Sequence, residues 1–82
     1  MERKDVYKLI DCEREYQNML PQHSKELDFK HSIADWIIYM EHLIIKAKEE
    51  IYQLNEIEAM SYIRKATAVG VAAMENNKTL SR

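Results

Sequence analysis

The stretch Ile51-Tyr52-Gln53-Leu54-Asn55-Glu56-Ile57-Glu58-Ala59 decides the fold, because the chain either turns here or continues as one long helix. Neither glycine nor proline forces a break. The phase of the apolar pattern argues for one. At ~100° per residue, the apolar face after Asn55 is rotated by roughly a third of a turn from the face before it. A continuous helix would twist its own core away. Asn55 followed by Glu58 also reads as a helix N-cap with an acidic residue three positions on. The spacing therefore predicts two helices, about 32–54 and about 56–76, joined by a tight turn into an antiparallel hairpin.

Upstream, Ser32-x-x-Asp35 is a capping box with Asp in place of the usual Glu or Gln. The helix it opens carries a main apolar stripe of Ile33, Trp36, Ile37, Met40, Leu43, Ile44, Ala47, Ile51 and Leu54. Beside it runs a second stripe, Ile38, Ile45 and Tyr52, spaced by seven. One stripe suffices for a hairpin, so the second calls for another partner. Glu41 and Lys48 lie between the two stripes, where intersubunit salt bridges are the expectation. On the last helix Ala59, Ile63, Ala66, Gly70 and Ala73 form a seam of mostly small residues that would admit a close helix–helix contact. Ala68 and Ala72, on the opposite side, are also small, so this helix reads as covered on most sides. A first helix, about 3–20, carries Val6, Leu9, Ile10, Tyr16, Met19 and Leu20 on one face and stops at Pro21. The segment 21–31 reads as an ordered loop anchored by Leu27 and Phe29, and 77–82 as a frayed tail.

The expected fold class is thus all-α. A short N-terminal helix and a long antiparallel two-helix hairpin form one helical domain over 1–82, packed in a homo-oligomeric helical bundle. Eighty-two residues bury a modest core, and the single Cys12 offers no disulfide staple, so partners are expected. The interface candidates are Ile38, Ile45, Tyr52, Ala59, Ala66, Gly70 and Ala73. Twelve Lys/Arg against fourteen Asp/Glu, a net charge of −2, argue against a duplex nucleic-acid binder with a broad basic surface. No apolar run reaches the ~20 residues needed to span a bilayer. One unpaired thiol and no signal-like start fit the cytoplasm.

Chemistry-bearing residues are sparse. His23, His31 and His42 lack metal-ligand spacing, Cys12 sits between Asp11 and Glu13, acidic neighbours that do not activate a thiol, and Gly70 is no phosphate loop. No metal, cofactor or catalytic residue is expected. Glu13 falls within the apolar face of the first helix, with Gln17 at its edge, and should meet Arg64 or Lys65. Arg64-Lys65-Ala66-Thr67 is the best anion-site candidate: a planar fork, a point charge and a hydroxyl among small residues. Tyr7 and Tyr16 could stack on a base, and Glu13 could line the same polar pocket.

Two resemblances follow. From Trp36 through Glu41-His42-Leu43 to Ala68-Val69-Gly70-Val71-Ala72-Ala73-Met74-Glu75, the hairpin resembles the MazG-like pyrophosphohydrolases. That family's E-x-x-E and E-x-x-D metal pairs are missing: Glu41, Glu49, Glu50 and Glu58 are followed at +3 by Ile44, Tyr52, Gln53 and Ser61. The short first helix bearing Tyr7-Lys8-Leu9-Ile10-Asp11 and Glu13-Arg14-Glu15-Tyr16-Gln17, followed by a hairpin ending in Ile63-Arg64-Lys65-Ala66-Thr67, resembles phage-encoded sponge proteins. Those sequester the cyclic nucleotide signals of CBASS and Thoeris immunity. This resemblance implies a non-enzymatic oligomer acting as an anti-defence protein in the host cytoplasm and holding a small anionic nucleotide. Arg64, Lys65 and Thr67 would bind phosphate, and Tyr7 or Tyr16 the base. The alternatives are a module that inhibits a host protein through the Ile38/Ile45/Tyr52 stripe and, ranked lower, a pyrophosphohydrolase with a rearranged metal site.

Overall fold

The computed structural model describes residues 1–20 and 31–82. They form three helices, α1 (Arg3–Met19), α2 (Ile33–Tyr52) and α3 (Glu56–Asn76), and no strand. The expected loop with Leu27 and Phe29 lies, apart from His31, outside the described residues. None of the three helices is long and apolar enough to cross a membrane.

The helix ends follow local chemistry. At the start of α2 the Ser32 hydroxyl accepts from the Asp35 amide at 3.2 Å, and the Asp35 carboxylate accepts from the Ser32 amide at 2.9 Å. The capping box is complete with Asp. At the start of α3 the Asn55 side chain accepts from the Glu58 amide at 3.1 Å. At its end the side-chain amides of Asn76 and Asn77 donate to the carbonyls of Ala72 and Ala73, the latter one of the four that a helix C-terminus leaves without an intrahelical donor.

The turn between α2 and α3 is a Schellman motif built without glycine. The Leu54 amide donates to the Ile51 carbonyl at 3.0 Å and the Asn55 amide to the Glu50 carbonyl at 2.9 Å. This requires a left-handed residue at the position normally given to glycine, and Leu54 takes it with φ of 61°. Asn55 then serves both the end of α2 and the start of α3. Three residues thus separate the helices.

α2 and α3 share the most extensive contact, and α1 docks on α3. Trp36 near the start of α2 clusters with Val69 and Ala72 near the end of α3, with Met40, Leu43 and Ala73 packed around them. At the other end Ala47 and Ile51 border the same groove as Ala59 and Ile63. The small-residue seam of α3 is filled within the chain. Ala59 and Ala66 are buried, Ala73 abuts the Trp36 cluster, and a methyl built on Gly70 would stand 3.2 Å from the tip of Met40. Those four positions are therefore consumed by the chain's own packing and offer little to a second copy. The α1 side of α3 is sealed too, with Ala68 at 0% and Ala72 at 2% exposure. The third side is open: Ile57, Met60, Ile63 and Met74 are exposed.

α1 departs from its apolar reading. Of its apolar face only Ile10 is buried, while Val6, Leu9, Tyr16 and Met19 are exposed. What α1 buries instead is Glu13, Arg14 and Gln17. The Arg64 guanidinium donates to Glu13 at 2.9 Å, Arg14 grips both carboxylate oxygens of Glu75 at 2.9 and 3.2 Å, and Gln17 donates to the Lys65 carbonyl at 3.3 Å. Adjacent residues of α1 thus reach positions 64 and 75 of α3, about 16 Å apart along a helix. The docking is a polar clamp around Ala68 and Ala72.

Two outcomes follow from these contacts. Leu54→Gly should raise stability by about 1 kcal/mol in chemical denaturation, since it removes a left-handed strain and gives up a side chain that is 90% exposed. For the ion pair the two halves should differ. Arg64→Ala strands the buried Glu13 carboxylate and should cost about 2 kcal/mol. Glu13→Met returns the half-buried Arg64 to water and should cost less than about 1 kcal/mol. Equal costs would contradict the clamp.

Candidate functional site

The residues proposed to hold an anion do not converge. On α3, Arg64 and Thr67, three residues apart, share one side, and Lys65 is turned by ~100° from Arg64. Arg64 is committed to Glu13. The Lys65 ammonium sits 4.7 Å above the Tyr62 ring centre, a cation–π contact. The Thr67 hydroxyl donates to the Ile63 carbonyl one turn back at 2.8 Å, the usual fate of a mid-helix threonine. Tyr7 and Tyr16 are exposed on α1. Glu13 and Arg64 are brought together as expected; the other candidates are not gathered around them.

A different concavity is better formed. Where α1, α2 and α3 meet, a cleft of 440 Å³ is lined by Arg14, Gln17, His31, Asp35, Trp36, Ile38, Tyr39, His42, Val69 and Ala72. Its α2 wall is dictated by helical periodicity. Asp35, Ile38, Tyr39 and His42 recur at three- and four-residue steps and so share one face. The capping box fixes the entrance. His31, just ahead of Ser32, packs edge-on against Trp36 with ring centres 5.1 Å apart, and its Nδ1 lies 4.0 Å from the Asp35 carboxylate. The polar clamp supplies the far wall through Arg14 and Gln17.

The electrostatics of the cleft are mixed. Hydrogen bonds to the Asp35 carboxylate from the Ser32 amide, and then from the Ser32 side chain, hold the Asp35 carboxyl below its ordinary 3.8, so it is ionised at neutral pH. Burial pushes the Tyr39 phenol above its ordinary value, keeping it a neutral hydroxyl. Arg14 brings a cation already balanced by Glu75. Trp36 is 6% exposed, and its indole Nε1 is buried with no acceptor among the described residues. An unsatisfied buried donor costs about 1–3 kcal/mol, so an acceptor introduced at Trp36 meets a standing demand. The arrangement suits a flat ring carrying hydrogen-bond acceptors, held by stacking and edge contacts.

Sequence reasoning passed over this cleft because its members read as ordinary parts: Trp36 as core, His31 and His42 as solvated histidines. The available signal was the run of aromatic, histidine and acidic residues at 31, 35, 36, 39 and 42, all near one capped helix start. Among the described residues no group of three or more His, Cys, Asp or Glu side chains is placed to hold a metal ion. No family model, curated protein or solved structure matches the chain.

Proposed function

We propose that this protein is a non-enzymatic binder that sequesters a small nucleobase-bearing anion. A cyclic nucleotide signal is the first class to test, as expected of a phage anti-defence protein. In this reading α2 and α3 act as an antiparallel hairpin within a homo-oligomeric helical bundle, and the ligand enters the cleft at Trp36 rather than the Arg64-Lys65-Thr67 patch. The observation that supports it is the three-helix cleft itself. Its 440 Å³ falls within the range of about 300–1,000 Å³ usual for small-molecule sites. It offers His31 and Tyr39 as ring surfaces, the edge of Trp36 with its indole N–H, and His42 as a polar group, while Arg14 and Gln17 in its wall are bonded to Glu75 and the Lys65 carbonyl. In the other patch, Arg64 gives its Nε donor to Glu13 and Thr67 its hydroxyl to the Ile63 carbonyl.

A second reading, docking onto another protein, is favoured by the exposure of Ile38, Ile45 and Tyr52 at 64%, 54% and 75%. In that reading Ile45→Glu abolishes capture of the partner with the fold retained, whereas loss of self-association in the same variant would assign the stripe to a second copy of the chain.

Trp36 is the only tryptophan, so its fluorescence reports on the cleft directly. Titration with cyclic dinucleotides and cyclic ADP-ribose isomers should give saturable heat and a parallel change in Trp36 emission. Tyr39→Ala and His42→Ala should each weaken affinity about tenfold or more, equivalent to about 1.4 kcal/mol. Heat with unchanged emission, abolished by Lys65→Ala, would return the site to the Arg64-Lys65-Thr67 patch. No heat with any of these compounds would refute the ligand reading.

A further inference from the structure

The face of α2 turned away from Trp36 and Ala47 consists of Ile37, Ile38, Glu41, Ile44, Ile45, Lys48, Ile51 and Tyr52, of which Ile44, Lys48 and Ile51 also border the groove shared with α3. All eight are exposed, and none belongs to the buried core. Ile37, Glu41, Ile44, Ile45 and Lys48 border one shallow groove along it. Glu41 and Lys48 are seven residues apart on the same helix, two turns, and no ion pair joins them among the described residues.

This face has a symmetry that a monomer does not need. Reverse the helix about the point between Ile44 and Ile45, and Ile37 falls on Tyr52, Ile38 on Ile51, Ile44 on Ile45 and Glu41 on Lys48. Apolar positions map onto apolar positions, and the one acidic position maps onto the one basic position. A face whose pattern survives reversal with its charges exchanged is complementary to itself in antiparallel pairing. A two-fold interface requires that property, since the same patch serves both copies.

We propose that a second copy of this chain covers this face, with the two α2 helices antiparallel about a two-fold axis at Ile44/Ile45. In antiparallel helix pairs each flank of the contact meets its own counterpart. The Ile38/Ile45/Tyr52 stripe therefore lies along the same stripe of the second copy, and Ile37/Ile44/Ile51 likewise. Between the flanks, Glu41 of each copy comes level with Lys48 of the other, giving two symmetry-related ion pairs framed by isoleucine. Parallel pairing would set Glu41 against Glu41 and Lys48 against Lys48, so the charges select the antiparallel arrangement. The interface also touches the candidate site. Ile38 lines the Trp36 cleft, and antiparallel pairing brings Tyr52 of the second copy beside Ile38 at the cleft's edge.

The inference rests on the reading of the protein as self-assembling but not on any ligand, and its test uses none. By sedimentation velocity the wild type should run at twice its 9.8 kDa chain mass, or an even multiple of it. Glu41→Lys and Lys48→Glu, each folded by far-UV circular dichroism, should each weaken association by about tenfold or more, because each sets like charges against one another twice. The double variant Glu41→Lys/Lys48→Glu restores opposite charges and should recover wild-type association. Mixing the two single variants should produce a heterodimer, since one then carries two lysines and the other two glutamates. A monomeric wild type would overturn the proposal. So would single variants that associate as tightly as the wild type, or a double variant no better than the singles.

Discussion

The close approach of α2 to α3 is possible because α3 presents almost no side-chain bulk where it is touched. Ala59, Ala66, Gly70 and Ala73 lie on the α2 side, Ala72 packs against Trp36 of α2, and Ala68 lies on the side of the α1 partners Arg64 and Glu75. Met40 can rest its tip against Gly70 at a distance that leaves no room for a larger residue without adjustment. Small residues achieve contact but contribute little. Among the described residues, five of the eight buried hydrophobic ones are alanines, and each methyl removes only a small area from water compared with a leucine or isoleucine. The core is narrow, so the larger side chains of both helices lie outside it. The exposed isoleucines of α2 are a direct consequence of the alanines of α3.

That thin core explains why α1 docks as it does. A helix laid on Ala68 and Ala72 finds a flat surface with no apolar knobs to interlock with. Orientation must come from groups with directional preference, and Glu13, Arg14 and Gln17 supply it. Their partners, Arg64 and Glu75, are only partly buried, which keeps the desolvation cost on one side of each pair. Such pairs fix geometry more than they add stability. The cleft inherits this rigidity, since Arg14 and Gln17, which form one of its walls, are held by the clamp.

Features with a local cause were legible in the sequence. The Ser32/Asp35 capping box, the Asn55 cap and the span of α3 all follow from short-range hydrogen bonding that leaves a signature within four residues. The break after α2 was readable from the phase of the apolar pattern, but its mechanism was not. Nothing about leucine announces a left-handed residue, and Leu54 adopts it because the bonds to Glu50 and Ile51 and the cap at Asn55 together outweigh the strain. Partner choice was the part that failed. Apolar periodicity says that a face wants covering, not by what. It assigned the α3 seam to a second copy when Ala59 and Ala66 are buried within the chain, and on α1 it counted Val6, Leu9, Tyr16 and Met19 into a face of which Ile10, Glu13 and Gln17 are the buried part. Glu13 meeting Arg64 was foreseeable from the cost of burying a lone carboxylate. Arg14 meeting Glu75, sixty-one positions away, had no such flag. Of the site candidates, Arg64 bonds Glu13 through its Nε and Thr67 bonds the Ile63 carbonyl, commitments that no spacing on α3 announces.

The same periodicity argument, applied to a face the chain does not fill itself, leads further. For α3 the covering partner was close in sequence, because a three-residue turn delivers α2 to it. For the outer face of α2, α1 is spent on α3, and α3 already lies on the opposite side. Among the described helices none is left to cover Ile37, Ile44 and Ile45. A face of this kind that carried only isoleucine would bind any apolar surface indiscriminately. The single Glu41 and single Lys48, placed symmetrically about the centre, penalise parallel or shifted arrangements, where like charges or an unanswered charge would sit against isoleucine. Their role is selection rather than adhesion, which matches the modest energy of exposed ion pairs. An alanine core too thin to use its isoleucines thus yields a surface that two charges make specific.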